Sequence, residues 1–154
     1  MSEGHGNKGN FHPVRKVRHP SGRYMWIDVG LVPLVRALWA AGFETITCCQ
    51  DLGESITELN PRKGAYWKGW ALVELPAADA TRLAELAAAG GRFPMHWAQD
   101  GAWEMSVPLV MLGARGVMMN LVQVHFPVSQ LEDLTRVIQD AAHIARITGR
   151  DRQP

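Results

Sequence analysis

Cys48 and Cys49, followed at once by Gln50 and Asp51, are the residues of this chain whose types most directly suggest chemistry. A thiol becomes a nucleophile only when a base or cation stabilises its thiolate, and His96 or His125 would have to play that part for Cys49. Adjacent cysteines do not both reach one tetrahedral ion, and the spacing of the two histidines does not suggest ligands, so neither a metal nor a cofactor is expected. Strand alternation separates the two thiols. Ile46 and Cys48 share one face, while Thr45, Thr47 and Cys49 share the other. With Ile46 turned to the helices, Cys48 is a small core residue and Cys49 opens on the polar side.

Two irregular stretches, 50–67 and 91–101, carry further groups of interest. "PRKGAYWKGW" interleaves Arg62 and Lys63 with Tyr66, Trp67 and Trp70, a mixture suited to stacking on a base beside a phosphate. "MHWAQDG" supplies His96 and Trp97. The candidate ligand-binding set is therefore Cys49, Gln50 and Asp51 at a strand end, walled by Arg62, Lys63, Tyr66, Trp67 and His96, with His125 on the polar face of a later strand. At a strand end before a long loop, Gln50 and Asp51 are expected to tolerate alanine within about 1 kcal/mol. The chain has no GxGxxG, no Walker A and no GxSxG, so nucleotide hydrolysis and serine-hydrolase chemistry lack support.

The elements that would position these residues follow from periodicity. Leu31, Leu34, Val35 and Leu38 recur at helical spacing, with Pro33 in the first turn and Gly42 at the stop. "FETITCC" then reads as a strand. Residues 68–75 form a second strand, and 77–89 a helix with Ala80, Leu83, Leu86 and Ala87 inward. Residues 102–107 and 116–126 are strands, the latter placing Val122, Val124 and Phe126 opposite Gln123 and His125. "SQLE" opens a last helix with Ser129 as N-cap, burying Leu131, Leu134, Ile138, Ala141 and Ala145. The pattern predicts an α+β fold: a mainly antiparallel sheet of four or five strands with about three helices on one face.

Composition bounds the rest. Apolar residues are 47% and charged residues 20% of 154, which suits one globular domain. No run is long enough to span a bilayer and the first residues contain no apolar signal region, so the expectation is a cytoplasmic protein without membrane contact. Through Arg23 there are five basic residues against one acidic, and in the remainder 11 against 14. Residues 1–22 are accordingly read as a flexible basic arm, 23–149 as one α+β domain and 150–154 as a disordered tail.

"PLVRALWAAGFETITCCQD" resembles a family of small uncharacterised proteins from actinobacteria and their phages, with the pattern P-L-V-x-x-L-W-x-x-G-x-x-T-x-x-S-C-Q. Pro33, Leu34, Val35, Leu38, Trp39, Gly42, Thr45, Cys49 and Gln50 match, and Cys48 stands where that family has serine. The resemblance implies a small α/β protein and a candidate site, but no activity. A more distant likeness is to wybutosine-synthesis methyltransferase-like proteins, whose T-T-S-S-C-S-G-R stretch is matched here without its Gly-Arg. The first reading is a module that binds a small molecule or protein at the strand end. Beside it stand an enzyme using Cys49 or Asp51, and a nucleic-acid binder using the basic arm and the Tyr66–Trp70 strip.

Overall fold

Trp70–Pro76 forms the central strand, and its burial on both faces explains why its apolar run is almost unbroken. The computed structural model describes residues 12–96, 98–107, 111–112, 117–118 and 120–150. In chain order the elements are β1 (Val14–Arg18), β2 (Tyr24–Asp28), α1 (Val32–Ala40), β3 (Thr47–Cys49), α2 (Leu52–Ile56) and α3 (Pro61–Tyr66). There follow β4 (Trp70–Pro76), α4 (Ala77–Ala89), β5 (Glu104–Ser106), β6 (Met111–Leu112), β7 (Val117–Met118), β8 (Leu121–Pro127) and α5 (Leu131–Arg150). The main sheet is antiparallel in the order β3-β4-β8-β5, and β1–β2 and β6–β7 are separate hairpins. The fold is α+β, as the pattern predicts. No helix of the described residues is long and apolar enough to cross a membrane.

One face of the sheet holds the core. Ala71, Val73, Leu75, Val124 and Phe126 pack against Leu34, Val35 and Leu38 of α1, Leu83 and Ala87 of α4, and Leu134 and Ile138 of α5. Cys48 packs against this cluster too, its register partner being Val73. On α5 the stripe runs Leu134, Ile138, Ala142; Ala141 is only half-buried and Ala145 is exposed, because the last turns extend past the core. Ser129 is not an N-cap. A 3-10 turn over Val128–Gln130 precedes α5, and Val128 N–H donates to Gly69 O, so the chain coils directly out of β8.

Two further expectations need correction. Residues 50–67 are not a loop but two short helices, each capped: Asp51 accepts from Glu54 N–H, and Asn60 accepts from Lys63 N–H with Pro61 in the first turn. Gly53 lets them close on β4, since a Cβ there would lie 2.4 Å from Lys68 N and 2.5 Å from Gly64 O. Nor does a flexible arm extend to residue 22. Val14–Arg18 pairs with Tyr24–Asp28 around a turn at His19–Arg23, and Val17 and Ile27 are buried against the body. Two apolar side chains and a full antiparallel ladder outweigh the basic composition. The remainder of the expected arm (1–11), residues 151–154 and Trp97 lie outside the described residues.

Candidate functional site

The register of the main sheet assigns every side chain of its second face. One row across the strands is Cys49, Leu72, His125 and Glu104; the next is Thr47, Glu74, Gln123 and Ser106. Gln123 Nε2 donates to the buried Glu74 carboxylate at 3.0 Å, and Ser106 Oγ lies 3.3 Å from His125 Nε2. Trp67 stacks on the His125 ring with centroids 4.2 Å apart, and Tyr66 O–H donates to Glu104 at 2.8 Å. Tyr66, Trp67 and His125 therefore do converge, on the same face as Cys49 but separated from it by Leu72. Burial lowers the His125 pKa, and the Glu104 carboxylate partly opposes this.

Gln50 and Asp51 are brought to the expected place but have structural work there. Gln50 Oε1 accepts from Gly30 N–H at 3.0 Å, an approach that a Cβ on residue 30 would block at 2.2 Å. The Asp51 carboxylate accepts from Glu54 N–H at 3.2 Å and from Gly69 N–H at 2.9 Å, tying the start of α2 to the approach of β4. A residue with two such partners is not the freely substitutable one that its place before a polar stretch implied. Arg62 and Lys63 are exposed on α3. Tyr66, Trp67 and Trp70 meet edge to face, at 4.8 and 5.7 Å between successive rings, so the rings of this strip pack on one another, with Tyr66 exposed and the two tryptophans half-buried. His96 shapes its own turn, its Nδ1 accepting from Ala98 N–H at 3.3 Å.

What joins Cys49 instead is a pair of residues that sequence reasoning passed over. Ligand atoms of His12, Asp28 and Cys49 all lie within 4.8 Å of one another, and each residue is half-buried. The placement follows from the hairpin. Pairing of Val14 with Asp28, continued by Val29 N–H donating to Pro13 O at 2.9 Å, carries His12 alongside the end of β2. The Gln50 backbone N–H donates to Asp28 Oδ2 at 2.7 Å, which clamps the end of β2 to the end of β3. The sequence signal that would have found this was the turn, "HPSG", between two alternating runs; nothing local points to His12 itself.

Each of the three has an outer partner. Cys49 Sγ is 3.0 Å from Ser55 Oγ, His12 Nδ1 is 3.5 Å from Glu54 Oε2, and Asp28 holds the Gln50 N–H. Burial raises the Cys49 thiol pKa; the Ser55 hydroxyl opposes that rise, and the Asp28 and Asp51 carboxylates add to it. This is the reverse of an activated nucleophile, whose thiolate must be favoured. The same surroundings suit a cation. A divalent ion would be neutralised by one carboxylate and one thiolate, and it would draw the thiol proton off. Imidazole and thiolate exclude an all-oxygen magnesium or calcium site and suit zinc-like ions. Bonds of about 2.0–2.3 Å require the donors to draw together by roughly 1 Å, with a fourth position left over.

Comparison with protein-family models, curated proteins and solved structures finds no match to this chain.

Proposed function

We propose that this chain is a binding protein for a divalent transition metal of the zinc class, held by His12, Asp28 and Cys49 where β2 and β3 end together. The reading keeps the strand end expected around Cys49–Asp51, departs from the expectation that no metal binds there, and moves the ligands upstream to His12 and Asp28. The observation that carries it is convergence: three donors of three different types arrive from separate segments, Cys49 and Asp28 each have a hydrogen-bonding partner, and His12 lies 3.5 Å from both the Glu54 carboxylate and Asp51 O. Such outer-shell support is what metal ligands need to keep their geometry and tautomer. The ion's remaining position would accept water or one donor atom of a small ligand, consistent with a binding module.

Cobalt(II) substitution tests this directly. The wild-type chain should bind one equivalent and develop a thiolate-to-cobalt charge-transfer band, which zinc displaces. Cys49→Ser should abolish the band, whereas Cys48→Ser should retain it. Because a protonated thiol must ionise on binding, affinity should rise about tenfold per pH unit over the range where one proton is released. A band that survives Cys49→Ser, or no band at all with wild type, rejects the site.

A further inference from the structure

We propose that the outward face of the β1–β2 hairpin is a platform for single-stranded nucleic acid. The register places Lys16 opposite Trp26 and Arg18 opposite Tyr24. Alternation turns Val17 and Ile27 into the body, where they are 3% and 0% exposed, and sends these four side chains the other way. Trp26 is 67% exposed and Tyr24 58%. Among the described residues nothing in the packing of the hairpin calls for an aromatic at either position, since the buried Val17 and Ile27 anchor it from the inward face. Two large rings held outward on a paired ribbon are an interaction surface.

The chemistry of that surface selects the partner. The rings stand two residues apart on one strand, about 7 Å, so successive unpaired bases can each meet one. Across the ribbon lie two cations, and Lys16 Nζ already sits 4.8 Å above the centre of the Tyr24 ring, while Arg15, paired with Ile27, belongs to the opposite face. That arrangement sets a positive charge at the level of a ring face, where the phosphate flanking a stacked base passes. Arg23 is engaged by Glu44 and takes no part. The same alternation places one carboxylate on this face, that of Asp28 at the far end of β2 beyond Trp26, and it is engaged by the Gln50 N–H. Rings interleaved with cations fit a flexible polyanion whose bases are unpaired, whereas bases stacked within a duplex offer no ring face to Trp26. The Tyr66–Trp70 strip, with a similar composition, lacks this geometry because its rings contact one another.

The test is fluorescence anisotropy of a labelled, unstructured oligothymidine titrated with the full chain in chelator-containing buffer at several salt concentrations. Wild type should bind, with affinity falling as salt rises. Trp26→Ala should weaken binding at least about fivefold and Trp26→Phe much less, because stacking needs a ring and not the indole. Lys16→Ala should weaken binding to all sequences alike and reduce the salt slope by about 0.7, the loss of one phosphate contact on a single strand. Thermal midpoints of all three variants should match wild type, since these side chains point away from the core. The proposal is overturned if wild type does not bind the oligonucleotide at low salt, if Trp26→Ala binds as well as wild type, or if duplex DNA is preferred. It is also overturned if anionic phospholipid vesicles bind through these residues while the oligonucleotide does not.

Discussion

Replacing Asp51 by alanine removes one carboxylate but breaks two separate ties. Oδ1 accepts the Glu54 N–H at the start of α2, and Oδ2 accepts the Gly69 N–H just before β4. Loss of an N-cap costs about 1 kcal/mol in typical cases. A backbone N–H left without a partner in a half-buried setting adds about 1–3 kcal/mol, toward the lower end where water reaches it. The two act on different segments, so a total of about 2–4 kcal/mol is expected, and for a domain of this size a fall in Tm on the order of 5–15 °C.

Asp51→Asn separates the two contributions. Asparagine caps helices as well as aspartate does, but it offers one acceptor oxygen where two donors wait, so about half the loss should remain. Urea unfolding of the full chain, followed by tryptophan fluorescence, measures both variants, with an unchanged m-value showing that the unfolding reaction is the same. A loss below about 0.5 kcal/mol for Asp51→Ala would mean that the residue is the dispensable surface group its sequence position suggests. Asn as damaging as Ala would show that the cap contributes nothing and that the charge alone matters.

Two other expectations concern titratable groups of the main sheet. In the native protein without metal, Cys49 should react with an aromatic disulfide reagent well before Cys48, whose thiol is pushed up to about 12 by burial and by the neighbouring Asp28 carboxylate; equal rates, or Cys48 first, would reverse the facing of β3. His125 carries a pKa lowered by burial, so between its folded value and the unfolded value of about 6.5 the unfolded chain binds more protons. Stability from this group is therefore complete above about pH 6.5 and is lost as pH falls through that window. The urea midpoint should fall from pH 7.5 to pH 5 less steeply in His125→Phe, which keeps a ring beneath Trp67; an identical slope in the variant would show that other groups set the dependence.

The part of the site that was legible was the part governed by local rules. Two-residue alternation put Cys48 on the core face and Cys49 on the other, and the register bears this out, with Cys48 beside Val73 and Cys49 beside Leu72. The motif over residues 33–51 also proves to be mostly architecture. Leu34, Val35 and Leu38 are fully buried, Trp39 Nε1 donates to Thr45 Oγ1 at 2.8 Å, Gly42 has φ +80°, and Gln50 latches Gly30. Among its matched residues Cys49 is the one whose reactive group joins a cluster of potential ligands, so a motif read as a site is largely the frame that holds one ligand still. The caps of α2 and α3 were readable too, in Asp51 ahead of Glu54 and Asn60 ahead of Pro61, but the polarity of those helices hid them. The hairpin left a signal at its turn, but His12 and Asp28 were not readable as ligands, because the clamp between strand ends that sets them beside Cys49 leaves no spacing in the chain. The same pairing settles the meaning of the basic N-terminal segment. Read linearly, Arg15, Lys16 and Arg18 are a charged tail; paired with Trp26 and Tyr24, Lys16 and Arg18 join one ordered surface, Arg15 lies on the other face with Ile27, and the buried Val17 and Ile27 anchor the hairpin that carries His12.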